Sequence, residues 1–507
     1  MFAQVWGETT LGLTGVPVRV EVDLSSGLPA FDLVGLADAA VRESRERVRA
    51  AIRNSGFHFP GERLTINLAP ADVHKDGAGL DLPVAIGILS ATGELALPED
   101  FATTIFIGEL SLDGLIRPVS GVLPMVVSAA KQGFKRVFVP WENRPEASLV
   151  PDIECVPCHD LANAIKQLLD GADVSEYNET EDTLSPAPIS EDDFADVAGQ
   201  LLARRAVEVA AAGGHNLLMV GSPGSGKTML ARRIPSILPP LSQEEALAVT
   251  TIYSVAGELP GNTGLIRTRP FRSPHHTISS GGMIGGGSVP KPGEVTLSHH
   301  GVLFLDEMPE FSRATLEVLR QPLEDGEVRI TRVKATTCYP ASFMLVGAMN
   351  PCKCGFFGDA DAAHPCTCSE SSIMRYRARL SGPLLDRFDL KIHVSRIAYD
   401  DLRNKQAGES SAAIRDRVLT ARERQTRRFQ KAMTNAQMKK RDMKRFCTLN
   451  AEGEALLRQV FEQLHLSARS HDRILKVART IADLAGSERI QAEHLAEAIQ
   501  MRTDWTE

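Results

Sequence analysis

The sequence predicts an α/β protein whose folded parts follow one another along the chain. From Phe194 to about Val394, apolar strand-like segments alternate with helical segments, the rhythm of a parallel sheet covered by helices. The first 170 residues alternate short apolar strands with amphipathic helices. From about Ser395 onward the chain is charged and helical. The predicted parts are an N-terminal α/β domain, a linker, a sheet-and-helix core and a helical domain, at 1–170, 171–193, 194–394 and 395–507.

Composition and charge limit the classes of protein to which the chain can belong. The chain has 507 residues, of which 43% are apolar and 24% charged, as in ordinary globular proteins. No run approaches the roughly 18 apolar residues of a membrane span, and Met1 to Thr10 lacks the basic start of a signal peptide. The net charge of −8 argues against binding nucleic acid over the whole surface but allows a local basic patch. We expect a cytoplasmic protein with reduced cysteines and no membrane contact.

The linker prediction rests on composition. Gly171 to Asp193 reads GADVSEYNETEDTLSPAPISEDD, which is acidic, contains two prolines and has few apolar residues. Such a segment cannot bury a core of its own.

The most specific motif is a glycine-rich loop that follows an apolar strand. Asn216 to Thr228 reads NLLMVGSPGSGKT, which matches G-x-x-x-x-G-K-[ST]. Glycines let backbone N–H groups face phosphate oxygens, the lysine neutralises the β- and γ-phosphates, and the threonine hydroxyl binds Mg²⁺. The motif predicts an ATP and Mg²⁺ site at Gly221, Ser222, Pro223, Gly224, Ser225, Gly226, Lys227 and Thr228.

Two carboxylates complete a hydrolytic site about 80 residues further on. The apolar run that starts at Gly301 ends in Asp306 and Glu307. We expect Asp306 to orient the Mg²⁺ shell and Glu307 to polarise the attacking water as a general base.

Two more polar residues fit such a site. Asn350 follows the apolar strand that starts at Phe343, so it lies where ligands bind to α/β sheets and would orient the water or sense the γ-phosphate. The alternative is an ordinary turn residue. Arg387 would reach a neighbouring subunit's ATP and stabilise transition-state charge. Its alternative is a surface pair with Asp386 or Asp389.

Four long segments carry a resemblance to a known family: RPFRSPHHTISSGGMIGGG (Arg269–Gly287), PGEVTLSHHGVLFLDEMPEF (Pro292–Phe311), NPCKCG (Asn350–Gly355) and SGPLLDRFDL (Ser381–Leu390). The chain is similar to the YifB/ComM group of magnesium-chelatase-like AAA+ proteins over essentially its whole length. The resemblance implies a P-loop AAA+ core of three α/β/α layers, a C-terminal helical lid and a homohexameric ring. Because ComM-like members are DNA branch-migration helicases used in recombination during natural transformation, it also implies a helicase or translocase.

The resemblance assigns roles to particular residues. It implies Walker A at Gly221–Thr228, Walker B at Asp306 and Glu307, sensor 1 at Asn350, an arginine finger at Arg387 and a sensor 2 contact to ATP at Arg469, with Arg473 as the alternative.

The resemblance also places two insertions that would line the central channel of a ring. Residues 271–297 look like the helix-2 insert, and residues 327–341 look like the pre-sensor-1 hairpin. Arg329, Arg332 and Lys334 on the hairpin would bind DNA phosphates without reading sequence. The alternative for these residues is a solvated face. A competing basic stretch spans 415–445, within a segment of 14 lysines and arginines against 5 acidic residues at 401–450.

The N-terminal part resembles the Lon-type protease domain, an S5-type fold. Two segments carry the likeness: His74–Asp81 and Gly108–Pro118. Peptidases of that type use a serine and a lysine, and the matching positions here are Gly79 and Leu123. Because a Ser/Lys dyad needs a hydroxyl and a base, we expect this domain to be catalytically inactive.

Four cysteines form a candidate zinc site. Cys352, Cys354, Cys366 and Cys368 offer two C-x-C pairs, and soft thiolate ligands favour Zn²⁺. Reduced loop cysteines and a redox pair are the alternatives, and His364 is an alternative ligand. We interpret Cys155 and Cys158 as structural.

The preferred function is therefore ATP-driven DNA helicase activity, with recombination proteins as possible partners. Three alternatives stay open: a metal-chelatase-type ATPase motor acting on a protein partner, an ATP-dependent protease, and a DNA-binding scaffold with a vestigial ATPase.

Overall fold

The computed structural model describes residues 1–35, 39–71, 75, 77–171, 192–260, 264–287, 290–331, 336–358, 365–396, 408–463 and 466–502. The strands are β1 Phe2–Leu11, β2 Thr14–Ser25, β3 Ala30–Val34, β4 Arg63–Ala69, β5 Thr104–Phe106, β6 Glu109–Leu110, β7 Ile116–Arg117, β8 Arg136–Pro140, β9 Glu154–Cys158, β10 Leu217–Val220, β11 Phe271–Arg272, β12 Gly285–Gly286, β13 Lys291–Pro292, β14 Val302–Leu305, β15 Glu327–Thr331, β16 Thr336–Pro340, β17 Met344–Met349 and β18 Leu390–His393. The predicted α/β class is confirmed.

The helices lie between and after these strands. They are α1 Ala39–Asn54, α2 Asp81–Thr92, α3 Val122–Lys131, α4 Arg144–Ala147, α5 Leu161–Asp170, α6 Leu201–Gly213, α7 Lys227–Ile237, α8 Gln243–Ala256, α9 Ser280–Ile284, α10 Glu294–Leu297, α11 Arg313–Glu317, α12 Arg320–Asp325, α13 Glu370–Arg377, α14 Gly382–Leu385, α15 Ser411–Phe429, α16 Lys440–Phe446, α17 Ala451–Gln463, α18 Ala468–Leu484 and α19 Ala492–Gln500. In the described part of the chain, no helix is long and apolar enough to cross a bilayer.

The N-terminal part is built on a mixed seven-stranded sheet. Its strand order is β3-β4-β2-β1-β5-β8-β9, with β2 antiparallel to its neighbours β1 and β4, and with β5, β8 and β9 parallel. Val5 of β1 and the alternate residues Val18, Val20 and Val22 of β2 face a core that also includes α2, which is buried along almost its whole length. The predicted linker falls almost wholly outside the described residues, so its boundaries stay a prediction.

The second sheet carries the glycine-rich loop. Its five strands are all parallel, in the order β11-β14-β17-β10-β18. Every residue of β10, β14 and β17 is buried, as expected for strands covered by helices on both faces. Val220 pairs with Met349, and Leu305 pairs with Gly347. The loops that follow these three strands therefore start at one edge of the sheet.

Two small hairpins project from this core and contact each other. One pairs β12 with β13, and the other pairs β15 with β16. The Tyr339 hydroxyl on β16 donates to the Pro290 carbonyl oxygen at 2.6 Å, and Ile330 lies against Gly285. The segments interpreted as the helix-2 insert and the pre-sensor-1 hairpin thus pack together.

The helices after β18 pack against the second sheet. The long helix α15 is rich in arginine, but several of its guanidinium groups bind inside the protein. Arg417 pairs with Glu208 at 2.5 Å, Arg422 donates to the Ala211 carbonyl at 2.7 Å, and Arg428 pairs with Asp483. Much of the positive charge at 415–445 therefore anchors helices to each other.

A buried carboxylate connects the N-terminal domain to the second sheet's helices. Glu146 accepts hydrogen bonds from the Ser254 hydroxyl on α8 at 2.5 Å, the Leu123 amide at 3.1 Å and the Asn143 amide group at 2.6 Å. Burial raises the pKa of Glu146, and these three donors oppose that change. The Gly121 amide also donates to the Ser254 carbonyl at 2.9 Å.

A second buried carboxyl makes stability depend on pH. Burial raises the pKa of Glu8 on β1 from 4.5 to about 8, and the Ser128 hydroxyl opposes this only in part. Because the folded state keeps a proton that the unfolded state releases, stability should fall as pH rises from about 4.5 to about 8. Glu8→Gln cannot ionise, so it should be more stable than the wild type at pH 8.5 by about 1–3 kcal/mol.

Urea unfolding at pH 5.5 and pH 8.5 measures this difference. Glu154→Gln is the matched control, since Glu154 is an exposed strand residue of the same sheet. An equal effect of pH on wild type and Glu8→Gln would contradict the burial argument.

Candidate nucleotide site

The glycine-rich loop has the backbone shape that its sequence requires. β10 ends at Val220, and α7 begins at Lys227. Gly224 and Gly226 have φ values of +75° and +87°, a region that residues with a Cβ rarely adopt. The loop therefore curls back on itself before α7, so the positive end of the helix points toward the loop.

Lys227 lies over this loop. Its Nζ donates to the carbonyl oxygens of Gly221 at 2.8 Å and Ser222 at 3.0 Å, and to Asn350 Oδ1 at 3.3 Å. Burial lowers the pKa of Lys227, while the negative charges of Asp306 and Glu307 oppose that change. The structure thus brings Asn350 to the same glycine-rich loop as Lys227.

The candidate Mg²⁺ ligands lie side by side. The Thr228 hydroxyl donates to Asp306 Oδ2 at 2.7 Å, which places two oxygen ligands of the type Mg²⁺ prefers at one point. β14 supplies Asp306, and α7 supplies Thr228. Because β14 and β10 end at the same edge of the sheet, residues 78 positions apart in the chain meet there.

Glu307 adopts an unusual backbone conformation next to this pair. Its φ of +48° lies in the left-handed region, and its amide donates to Asp306 Oδ1 at 2.9 Å. The side chain is 61% exposed, so its carboxylate faces solvent instead of the protein interior. Strain of this kind is concentrated at functional sites.

His276 is a neighbour of Glu307 that the sequence did not reveal. Its Nδ1 lies 4.0 Å from Glu307 Oε2, and its ring contacts His275 with 4.1 Å between ring centroids. Both histidines lie in the segment that resembles the helix-2 insert, residues 271–297. Among the described residues, the four-cysteine group is the only metal-like cluster of three or more ligands. The pair instead places the predicted helix-2 insert beside Glu307.

Arg387 has a different partner from those considered. It is 7% exposed, Nη1 donates to the Pro383 carbonyl at 2.6 Å, and Nη2 pairs with Glu324 on α12. Neither Asp386 nor Asp389 is its partner in these contacts. The guanidinium is buried and is held by its own chain.

The two sensor 2 candidates differ in exposure. Arg469, near the start of α18, is 65% exposed and lies 3.8 Å from Asp386. Arg473 is bound to Asp389 at 2.7 Å and is mostly buried. Arg469 is therefore the candidate whose guanidinium is accessible.

The cysteine cluster directly follows Asn350. The Sγ atoms of Cys352, Cys354, Cys366 and Cys368 all lie within 4.8 Å of one another. Cys352 is buried, and the other three are partly exposed. His364 lies outside the described residues.

The hairpin tip is only partly described. Arg329 on β15 is 64% exposed and pairs with Glu327 at 2.6 Å. Arg332 and Lys334 lie outside the described residues. The last described pair before them joins Thr331 of β15 to Thr336 of β16.

The Lon-like domain lacks a nucleophile and a base at the two matched positions. Gly79 has no side chain, and Leu123 is a buried residue whose amide binds Glu146. The face of the domain at Leu123 contacts α8 of the neighbouring sheet-and-helix core.

Comparison with known proteins accounts for both parts of the chain. Residues 193–402 match the family model "Magnesium chelatase, subunit ChlI", residues 408–502 match the model of its C-terminal part, and residues 20–143 match "Subunit ChlI of Mg-chelatase". Lon protease 2 of Bacillus subtilis is 30% identical over 143 residues, covering 27% of this chain and 25% of that protein.

Relatives named YifB and ComM match along nearly the whole length. The uncharacterized protein YifB of Escherichia coli is 43% identical, covering 97% of this chain and 95% of that protein. The competence protein ComM of Haemophilus influenzae is 43% identical, covering 99% of this chain and 97% of that protein. The chain therefore belongs to the YifB/ComM family of magnesium-chelatase-like AAA+ proteins.

Proposed function

We propose that this protein is a Mg²⁺-dependent ATP hydrolase that assembles as a hexamer and moves branched DNA during homologous recombination, including natural transformation. The observation that carries the proposal is the meeting of Lys227, Thr228, Asp306 and Asn350 at one edge of a parallel sheet, with Glu307 beside them. Its relative ComM bears the name of a competence protein, which supports a role on DNA.

The site residues divide the chemistry of hydrolysis among them. Lys227 and the loop amides hold the phosphates, and Thr228 and Asp306 orient Mg²⁺. Glu307, with its exposed carboxylate, polarises the attacking water, and Asn350 orients that water or senses the γ-phosphate. ATP and Mg²⁺ are the bound groups that this set of donors fits.

The remaining arginines act between and within subunits. Arg387 acts as an arginine finger when it exchanges its ion pair with Glu324 for one with the γ-phosphate in a neighbouring subunit. The exchange is favoured because a phosphate carries more negative charge than one carboxylate. The accessible Arg469 contacts ATP in its own chain.

DNA binds along the hairpin at 327–341. The hairpin packs on the insert at Tyr339, and the insert reaches His276 beside Glu307. The hairpin and Glu307 thus both contact the segment interpreted as the helix-2 insert, which would couple DNA binding to hydrolysis. The competing basic stretch is less suited, because arginines such as Arg417 and Arg428 are occupied by internal acidic partners.

A second candidate function is a metal-chelatase-type motor that acts on a protein partner. The match of residues 193–402 to the magnesium chelatase ATPase subunit favours it. Such a motor would use the same ATP site but respond to a protein instead of DNA.

The first prediction separates binding from hydrolysis. Glu307→Gln should still bind ATP but lose turnover by about 100-fold or more, because the general base is removed. Lys227→Ala should lose ATP binding. Glu310→Gln changes an exposed carboxyl near Glu307 and should keep wild-type turnover. Phosphate release and binding of a fluorescent ATP analogue measure the two steps. Wild-type turnover in Glu307→Gln would show that another group is the base.

The second prediction concerns the subunit interface. Arg387→Ala should form rings but hydrolyse ATP about 100-fold more slowly, and mixing it with Lys227→Ala should restore part of the activity, because some interfaces then pair an intact finger with an intact P-loop. Glu324→Gln breaks the same ion pair while keeping the arginine, so it should stay active. If Glu324→Gln is as inactive as Arg387→Ala and mixing rescues nothing, Arg387 is structural.

The third prediction concerns DNA. Replacing Arg329, Arg332 and Lys334 together by alanine should abolish branch migration on a synthetic four-way junction and leave basal ATPase activity intact. Six copies of three cations contact several phosphates at once, so wild-type affinity should fall steeply with added salt.

A matched triple variant tests whether position matters. Arg427→Ala/Lys431→Ala/Arg441→Ala removes three exposed cations from the competing stretch and should have the smaller effect. A hairpin variant that still migrates branches would move the DNA site elsewhere.

A further inference from the structure

Four thiols converge at one point beside the nucleotide site. The Sγ of Cys352 lies 3.3 Å from that of Cys354 and 3.7 Å from that of Cys366, and the Cys354 and Cys366 sulfurs are 3.5 Å apart. All four, with Cys368, lie within 4.8 Å of one another. A tetrahedral Zn²⁺ with Zn–S bonds of about 2.3 Å has edges of about 3.8 Å between its sulfurs. The observed separations fit a single such ion.

Other arrangements of four cysteines fit less well. A disulfide requires about 2.05 Å between sulfurs, well below the separations found here. Hard cations such as Mg²⁺ prefer oxygen ligands, whereas a tetrahedral set of four sulfurs selects Zn²⁺ or iron. The compactness of the set indicates one ion in place of a multinuclear cluster.

The cluster holds the segment after Asn350 at the P-loop. Cys352 is two residues beyond Asn350, and both follow directly from β17. A Cβ on Gly355 would lie 2.6 Å from Cδ of Pro223, so this backbone touches the P-loop directly. The first cysteine pair therefore lies directly before a residue that contacts the P-loop.

The second cysteine pair closes the segment from the other side. Cys366 and Cys368 lead into α13, whose Arg377 donates from Nε to the Pro351 carbonyl at 3.3 Å. An ion shared by both pairs would join the end of β17 to the start of α13. Closing the loop between the two cysteine pairs lowers the conformational entropy of this segment. The segment begins two residues after Asn350, so Asn350 would also be restrained.

We propose that Cys352, Cys354, Cys366 and Cys368 bind one structural Zn²⁺, and that this ion fixes Asn350 against the P-loop. Asn350 Oδ1 already lies 3.3 Å from Lys227 Nζ, and the ion keeps the amide there while the γ-phosphate is cleaved. The metal site stands on sulfur geometry alone. Its effect on hydrolysis rests on the proposed ATPase function.

Metal analysis tests the site itself. The full chain purified without chelators should contain about one Zn²⁺ per chain. Cys366→Ser/Cys368→Ser should lose it, whereas Cys338→Ser, an exposed cysteine outside the cluster, should keep it. Co²⁺ exchanged into the wild type should give the visible absorption of a tetrahedral thiolate site. Less than about 0.1 Zn²⁺ per chain in the wild type, or iron in its place, would overturn the assignment.

Steady-state kinetics test the role in positioning. Removal of zinc by a chelator should lower kcat for ATP hydrolysis about 10-fold or more while KM changes less, because Lys227 and the loop amides still bind the phosphates. Adding Zn²⁺ back should restore kcat, which separates this effect from irreversible unfolding. An unchanged kcat in zinc-free protein would overturn the proposal that the ion holds Asn350 in position. A wild type that hydrolyses no ATP but binds zinc would instead refute the proposed function.

Discussion

The parallel register of three buried strands is the constraint on which the site depends. β10 and β17 end on the paired residues Val220 and Met349, and β14 ends on Leu305, which pairs with Gly347, so all three strands end at the same edge of the sheet. The Thr228–Asp306 hydrogen bond and the Lys227–Asn350 contact follow from that register. The buried apolar residues of these strands hold them in this register. They therefore position the candidate site residues without contacting the site themselves.

The N-terminal domain resembles a protease domain and has leucine at the position where we expect the base of a Ser/Lys dyad. At that position, the backbone amide of Leu123 donates a hydrogen bond to Glu146. Glu146 also accepts a hydrogen bond from the Ser254 hydroxyl on α8. The turn after β1 also contacts the hairpin of β15 and β16, since a Cβ on Gly12 would meet Thr337 of β16 at 2.6 Å. The domain thus touches both the helix that leads to the insert and the hairpin proposed to bind DNA.

The features that lie within short sequence motifs could be predicted from the sequence. The contacts between distant segments of the chain could not. The P-loop, Asp306 and the strand before Asn350 are each contained in a few consecutive residues, so the α/β class and the candidate ATP site followed from the sequence. The Arg387–Glu324 pair and the approach of His276 to Glu307 join separate segments by side-chain packing that no spacing encodes. The cysteine pairs lie between these cases: their spacing indicated four ligands, and only the fold brings the sulfurs together.

The proposed function depends on coupling between DNA and the ATP site, and steady-state ATP hydrolysis with and without DNA measures that coupling most directly. Single-stranded, duplex and four-way-junction DNA of equal nucleotide concentration should be compared at low and moderate salt. The account predicts that branched DNA raises kcat severalfold and that the gain shrinks as salt weakens phosphate binding. A rate that is the same with every DNA and with none would contradict it and favour a motor driven by a protein partner.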